Sequence, residues 1–303
     1  MKRKLISQGG GGYTIYLPKK WVDAKGLKAG EQIEVSERGA GLAIDSSVRE
    51  KKEISIKLDE GSRKDLKTIL THLYRRGFDR IVFTSAGAGE QREIKKSLGL
   101  LLGFELTEPG KDKCVVENIT EPEGEKYQAL LRRAFLIIKE AQRITLESAE
   151  SREFRSIDEI SALKDDHDRL VLFCRRTIAK EGTSLRHPVL EWELLTFLMH
   201  IMHAYKYLYS YAGKNRPRIT ARTIGLLKEL EASFQLLYNA YYERDMAAIH
   251  RLNRKEYLEK CYSALEKSSG KETPLISHIR EISRLVQVGS SPIISIILEE
   301  SSL

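Results

Sequence analysis

The chain has 303 residues, 41% hydrophobic and 31% charged, with a formal net charge of +8 and a mean hydropathy of −0.37. That length and composition predict a soluble protein of two or three domains with a sizeable core, and the lack of any run of eighteen apolar residues argues against a transmembrane helix. Three scattered cysteines, Cys114, Cys174 and Cys261, argue against a disulfide framework or a cysteine-based zinc site and read as buried free thiols. The start, "MKRKLISQGGGG", has charges but no apolar stretch behind them, so it is not read as a signal peptide and the chain is expected in the cytoplasm.

Residues 1–50 read as short strands around one short helix. "YTIYL" alternates and is rich in β-formers; Pro18 ends it and suits the opening of a helix. "KKWVDAKGL" gives at most two helical turns, with Trp21, Val22 and Leu27 on the apolar side. Gly26 and Gly30 are stop signals, and "EQIEVSERGAGLAID" predicts two more strands joined by a turn at Arg38 to Gly41. Fifty residues of hairpins bury little apolar surface alone, so a unit of this kind needs a partner chain.

Residues 51–120 change rhythm. "KEISIKL" is a strand, "SRKDLKTILTHLYRRG" an amphipathic helix with Gly77 as its C-cap, "DRIVFTS" a strand and "GEQREIKKSLGLLLG" a helix. An antiparallel pair around Pro109-Gly110 follows. The order βαβαββ predicts a small α/β sandwich with its helices on one sheet face. From Glu121 onward only helical periodicity remains: two long helices, a very apolar third ended by Gly213, then Ile219 to Arg244, Met246 to Ser268 and Pro274 to Leu298. Ser156, with Glu159 three residues on, opens the second of these helices and Gly182 closes it. The repeated order predicts two sequential three-helix bundles, about 121–213 and 214–303, sharing a face.

The first 48 residues resemble AbrB/SpoVT/MazE-type swapped-hairpin DNA-binding domains, on the Leu17-Pro18 step before the short helix and the turn Leu27-Lys28-Ala29-Gly30-Glu31 after it. The helical half resembles the PhoU family of phosphate-uptake regulators, most clearly in "DDHDRLVLFCRRTI". The expected fold is therefore multidomain: an AbrB-like swapped-hairpin β-barrel over 1–50, a small α/β segment over 51–120, and mainly α-helical PhoU-like tandem three-helix bundles over 121–303. The resemblance implies a homodimeric, DNA-binding transcriptional regulator of phosphate uptake and homeostasis. The alternative is a protein-interaction regulator of a phosphate transporter subunit or sensor kinase, its N-terminal domain serving only to dimerise.

Charge supports an interface with DNA. Residues 1–52 hold eleven Lys/Arg against six Asp/Glu, so most of the surplus lies in one sixth of the chain. The candidate contacts are Lys2, Arg3, Lys4, Lys19, Lys20 and Lys28. The arginines that contact DNA in AbrB-like repressors are replaced here by Thr14, Val22 and Asp23. Lysine grips phosphate as a point charge and does not read guanine bidentately, so phosphate contacts dominate the expected binding. The PhoU resemblance also implies a divalent metal ion. Only part of its carboxylate pattern is present, which leaves Asp165, Asp168, His200 and His203 as candidate ligands, with Glu191 a further donor. Packing of the two histidines in a bundle core is the other reading. "SAGAGEQRE", Ser85 to Glu93, has the strand–turn–helix form that can hold an anion, and "YKYLYSY" has tyrosines at helical spacing, suited to packing or base stacking. Nucleotide-binding, hydrolase and metalloprotease motifs are absent, so no enzyme is expected.

Overall fold

A computed structural model describes residues 2–38, 41–46, 51–120, 126–181, 185–254 and 256–301. The predicted turn residues 39 and 40 and the predicted stop Gly182 lie outside the described residues. The chain divides into two compact units, Met1–Lys51 and Lys52–Leu303, here called the head and the body.

The head holds β1 (Ile6–Gln8), β2 (Gly12–Thr14), α1 (Lys19–Ala24), β3 (Ile33–Arg38) and β4 (Gly41–Ser46). β1 pairs antiparallel with β2, and β3 with β4. The glycine run turns the first hairpin: Gly10 and Gly11 have φ of +97° and +89°, open only to glycine at little cost. α1 ends in a Schellman motif, with Gly26 N donating to Asp23 O and Leu27 N to Val22 O. Trp21, Val22 and Leu27 are half-buried, and no head residue whose burial is described is fully buried.

The body begins with a four-stranded sheet in the order β5 (Glu53–Lys57), β6 (Arg80–Thr84), β8 (Lys113–Asn118), β7 (Phe104–Pro109). β5 and β6 are parallel, and the other neighbours are antiparallel. α2 (Glu60–Lys64), α3 (Leu66–Arg75) and α4 (Ala88–Leu98) fill the connections. Asp59 and Ser62 cap α2 reciprocally. One sheet face supplies Ile81, Phe83, Cys114 and Val116, which pack with Leu70, Tyr74, Ile94 and Leu98 of the helices. On β6, Arg80 bonds Glu53, Glu108 and Glu117 at 2.7, 3.3 and 2.6 Å.

The helices are α5 (Tyr127–Ser151), α6 (Ile157–Glu181), α7 (Pro188–Asn215), α8 (Ala221–Glu243), α9 (Met246–Leu252), α10 (Glu256–Glu266), α11 (Glu272–Val288) and α12 (Ser290–Ser301). α5, α6 and α7 pack on one another; α8, α10 and α11 do the same, and α7 lies against α11. Five helices therefore stand in the second half where the periodicity predicts three. The predicted helix from Met246 breaks after Leu252, and the one from Pro274 breaks at Gly289. Pro292 lacks the N–H that would bond the carbonyl four residues back, and the Ser290 hydroxyl donates to Gln287 O (2.7 Å), which together break the regular ladder. Gly213 does not end its helix. α7 runs on to Asn215, and the glycine serves close packing, since a Cβ there would stand 3.3 Å from Phe154 O. The stretch Glu272–Ser301 has the length and apolar composition of a membrane span, but 56% of its apolar 18-residue window is buried inside the body.

α6 joins the body's two cores. Leu172 belongs to the core under the sheet, whereas Val171, Cys174 and Ile178 belong to the helical core. Arg176 crosses from α6 and donates to Tyr74 O (3.2 Å), Phe78 O (2.6 Å) and Asp79 Oδ1 (2.5 Å), its guanidinium lying over the Tyr74 and Phe104 rings. Lys180 adds a 2.6 Å bond to the same Asp79 oxygen, and Asp79 Oδ2 accepts from Lys52 N. Burial opposes ionisation of Asp79, but Lys180, the Lys52 amide and Arg176 outweigh it and hold the carboxyl below its ordinary value. Gly77 serves this junction as well as ending α3: its φ is +79°, and a Cβ would stand 2.9 Å from Lys180 Cγ.

Candidate nucleic-acid interface and polar sites of the body

Lys2, Arg3 and Lys4 precede β1, Lys19 and Lys20 form the first turn of α1, and Lys28 lies in the turn after it. All six side chains are exposed, and none forms an ion pair with a described side chain; the Lys28 amide donates to Glu31 Oε2 at 3.0 Å. The head also exposes apolar surface. Seven of the fourteen exposed large apolar residues in the described chain belong to the head: Leu5, Ile6, Tyr13, Ile15, Tyr16, Val35 and Leu42. Leu5, Tyr13, Tyr16 and Leu42 show 66 to 69% of their surface. At the positions where AbrB-like repressors carry arginine, Thr14 and Val22 are half-buried and Asp23 is exposed.

The four candidate metal ligands are only partly brought together. His203 Nε2 lies 2.9 and 3.1 Å from the two Asp168 oxygens, so residues 35 apart in sequence do meet. The second Asp168 oxygen also takes Lys164 Nζ at 2.8 Å. Burial would raise the Asp168 carboxyl, but His167 (Nδ1 3.9 Å away), His203 and Lys164 outweigh it and hold the group far below its ordinary range. Asp165 is exposed and bonds Lys164 at 3.1 Å, and His200 is exposed on α7. Among the described residues no group of three or more His, Cys, Asp or Glu side chains is placed to hold a metal ion. Asp168 is thus engaged by a cation and a histidine from within the chain.

Glu191 does not join these residues. It is buried near the start of α7, where it accepts from Tyr241 OH (2.7 Å) and Tyr127 OH (3.1 Å). Burial raises its pKa, and the two phenol hydrogen bonds only partly offset that. In the stretch Ser85 to Glu93, whose helical part begins at Ala88, two polar side chains bond within the chain. Glu90 stands at the start of α4, 3.5 Å from Arg63, and Gln91 Nε2 donates to Ala86 O and Gly110 O at 2.7 Å. The "YKYLYSY" tyrosines divide: Tyr205 and Tyr209 are buried, taking Gln142 Nε2 and Ser148 Oγ at 2.9 Å, while Tyr207 is exposed. All three cysteines are buried free thiols, and burial pushes Cys114 and Cys261 up to about 11.

The reading of the sequence missed the Arg176–Asp79–Lys180 junction. His167, beside Asp168 on α6, is fully buried with neither ring nitrogen bonded among the described residues. One signal was present: Arg176 and Lys180 sit four apart on an otherwise apolar stripe of α6, which implies a buried partner. Comparison with protein-family models, with curated proteins and with solved structures returned no match.

Proposed function

We propose that the protein is a homodimeric DNA-binding regulator. In this reading two heads interlock their hairpins into one AbrB-like barrel, and the body acts as the PhoU-like part that receives a signal or docks a partner. One observation carries the reading: the head has charge and apolar surface in excess of anything the described residues engage. Seven exposed apolar side chains need a cover, and a second copy supplies an identical, self-complementary one. Six exposed cations without ion-pair partners among the described side chains need anions, and the DNA backbone supplies a regular array of them. Regulation of phosphate uptake follows from the resemblance of the body, centred on "DDHDRLVLFCRRTI". The replacement of the expected arginines by Thr14, Val22 and Asp23 makes binding rest on phosphate contacts, with weak base selection.

The test is a fluorescence-anisotropy titration of the full chain on its promoter duplex and on a scrambled duplex over a range of salt. Binding is expected to fall steeply with salt, and Lys19→Ala with Lys20→Ala to reduce the salt slope by about one per lysine removed. The same substitutions without effect, or no binding near physiological salt, would favour the second reading. There the head is a dimerisation clasp and regulation runs through protein contacts alone, which the missing arginines already favour.

A further inference from the structure

Four non-glycine residues among those described have positive φ, and three of them are arginines that end helices: Arg152 after α5 (φ +60°), Arg216 after α7 (+47°) and Arg244 after α8 (+55°). Glycine is the residue that takes this position without strain, so each arginine marks a place where its side chain has a use that offsets the strain. Arg244 shows its use. It bonds Glu300 at 2.7 Å, reaches Tyr241 O, and its guanidinium lies over the Tyr241 ring. Arg152 and Arg216 have no carboxylate partner among the described residues.

Both line a cleft of about 400 Å³ at one end of the helical body, together with Arg155, Phe154 and Pro217. A second cleft of about 460 Å³ shares Arg152, Pro217 and Ile219 with it and adds Arg218. Pro217 and Ile219 are buried and form a fixed floor, while all four arginines are exposed. Among the described residues one carboxylate, Glu153, lines the first cleft and none lines the second; Glu153 is bonded to Arg155 at 2.8 Å. Glu272 lies nearby but is buried, its Oε1 accepting from the Thr220 and Thr223 hydroxyls at 2.7 and 2.9 Å. The favourable meeting of a cation with the carbonyl end of a helix accounts for one basic residue at each terminus. It does not account for Arg155, which precedes α6, or for Arg218, which precedes α8.

We propose that Arg152, Arg155, Arg216 and Arg218 form a binding site for a small anion carrying at least two phosphoryl groups, either pyrophosphate or the polyphosphate part of a nucleotide. Guanidinium forks match phosphoryl oxygens two bonds at a time, and two adjoining clefts with arginines in each suit two linked phosphoryl groups better than one. The site lies wholly in the body and does not depend on what the head binds.

The experiment is calorimetric titration of the full chain at constant ionic strength with pyrophosphate, inorganic phosphate, sulfate, AMP and ADP. Pyrophosphate is expected to bind at least tenfold more tightly than phosphate or sulfate. ADP binding more tightly than pyrophosphate assigns a nucleotide ligand, and equal binding assigns the inorganic one. Arg152→Gly with Arg216→Gly removes both side chains where glycine fits the backbone, so folding is kept, and the affinity for pyrophosphate is expected to drop at least tenfold. Arg218→Ala, at an exposed position of ordinary φ, gives an independent loss of about threefold or more. Pyrophosphate bound no better than sulfate, or bound equally by the double variant, overturns the proposal. So does a double variant that loses duplex DNA while keeping pyrophosphate, since the arginines would then serve a nucleic-acid backbone.

Discussion

The head and the body are built from equally regular local elements, yet they stand at opposite ends of completeness. The body closes on itself: Tyr74, Phe83, Phe135, Phe234 and Tyr241 are buried, and α6 ties its two cores together. The head has two hairpins and a capped helix, but none of its residues with described burial is fully buried, and Leu5, Tyr13, Tyr16 and Leu42 stand largely exposed. Covering a large apolar side chain contributes roughly 1.5 to 3 kcal/mol. Seven such residues leave the head short of stabilisation of order 10 kcal/mol per chain, before the cost of association. The difference teaches that a complete set of secondary-structure signals does not make a complete core; in the proposed reading the head is half of a domain that a second copy completes.

The largest test of this contrast lies in the body. Asp79→Ala leaves Arg176 and Lys180 facing a buried gap, and is expected to cost about 3 to 5 kcal/mol in urea denaturation. An unchanged midpoint would mean that the two cores are joined by apolar packing alone. The same carboxylate sets a pH dependence. Its pKa is lowered in the folded chain, so its contribution is present above the ordinary carboxylate range and lost as pH falls below it. Wild-type stability is therefore expected to fall on acidification, and the Asp79→Ala chain to lose less of it. Glu191 has the opposite sign. Its pKa is raised by burial, so its ionised form weakens the fold as pH rises above the ordinary carboxylate value. Glu191→Gln, which keeps an acceptor for one phenol and offers an N–H to the other phenol oxygen, is expected to gain roughly 1 kcal/mol at pH 8 and almost nothing at pH 4. A gain at pH 4 equal to that at pH 8 would contradict the assignment.

Patterning made the elements legible in sequence but not their partners. The βαβαββ order of the sheet was readable because Ile, Val and Phe alternate along its strands while Leu and Ile recur at helical spacing between them. The Gly26 and Gly77 stops were readable because each sits where the chain needs positive φ. Gly213 misled because absence of a side chain serves close packing as well as termination, and only the neighbour, Phe154, separates the two. The candidate ligands His200 and His203 are three apart, yet one meets Asp168 and the other faces solvent, since the orientation of α7 is set by the helices packed on it. Arg152 and Arg216 gave no signal at all, because a left-handed arginine is a property of the backbone and any exposed arginine looks alike in a sequence.

The central claim, that the head is completed by a second copy, is tested most directly by the solution mass of the full chain at micromolar concentration, measured by sedimentation equilibrium. The expected result is twice the 34.6 kDa chain mass, with Leu42→Asp shifting the equilibrium toward the single chain while the unfolding transition of the body stays in place. A wild-type chain that sediments as a monomer would contradict the account.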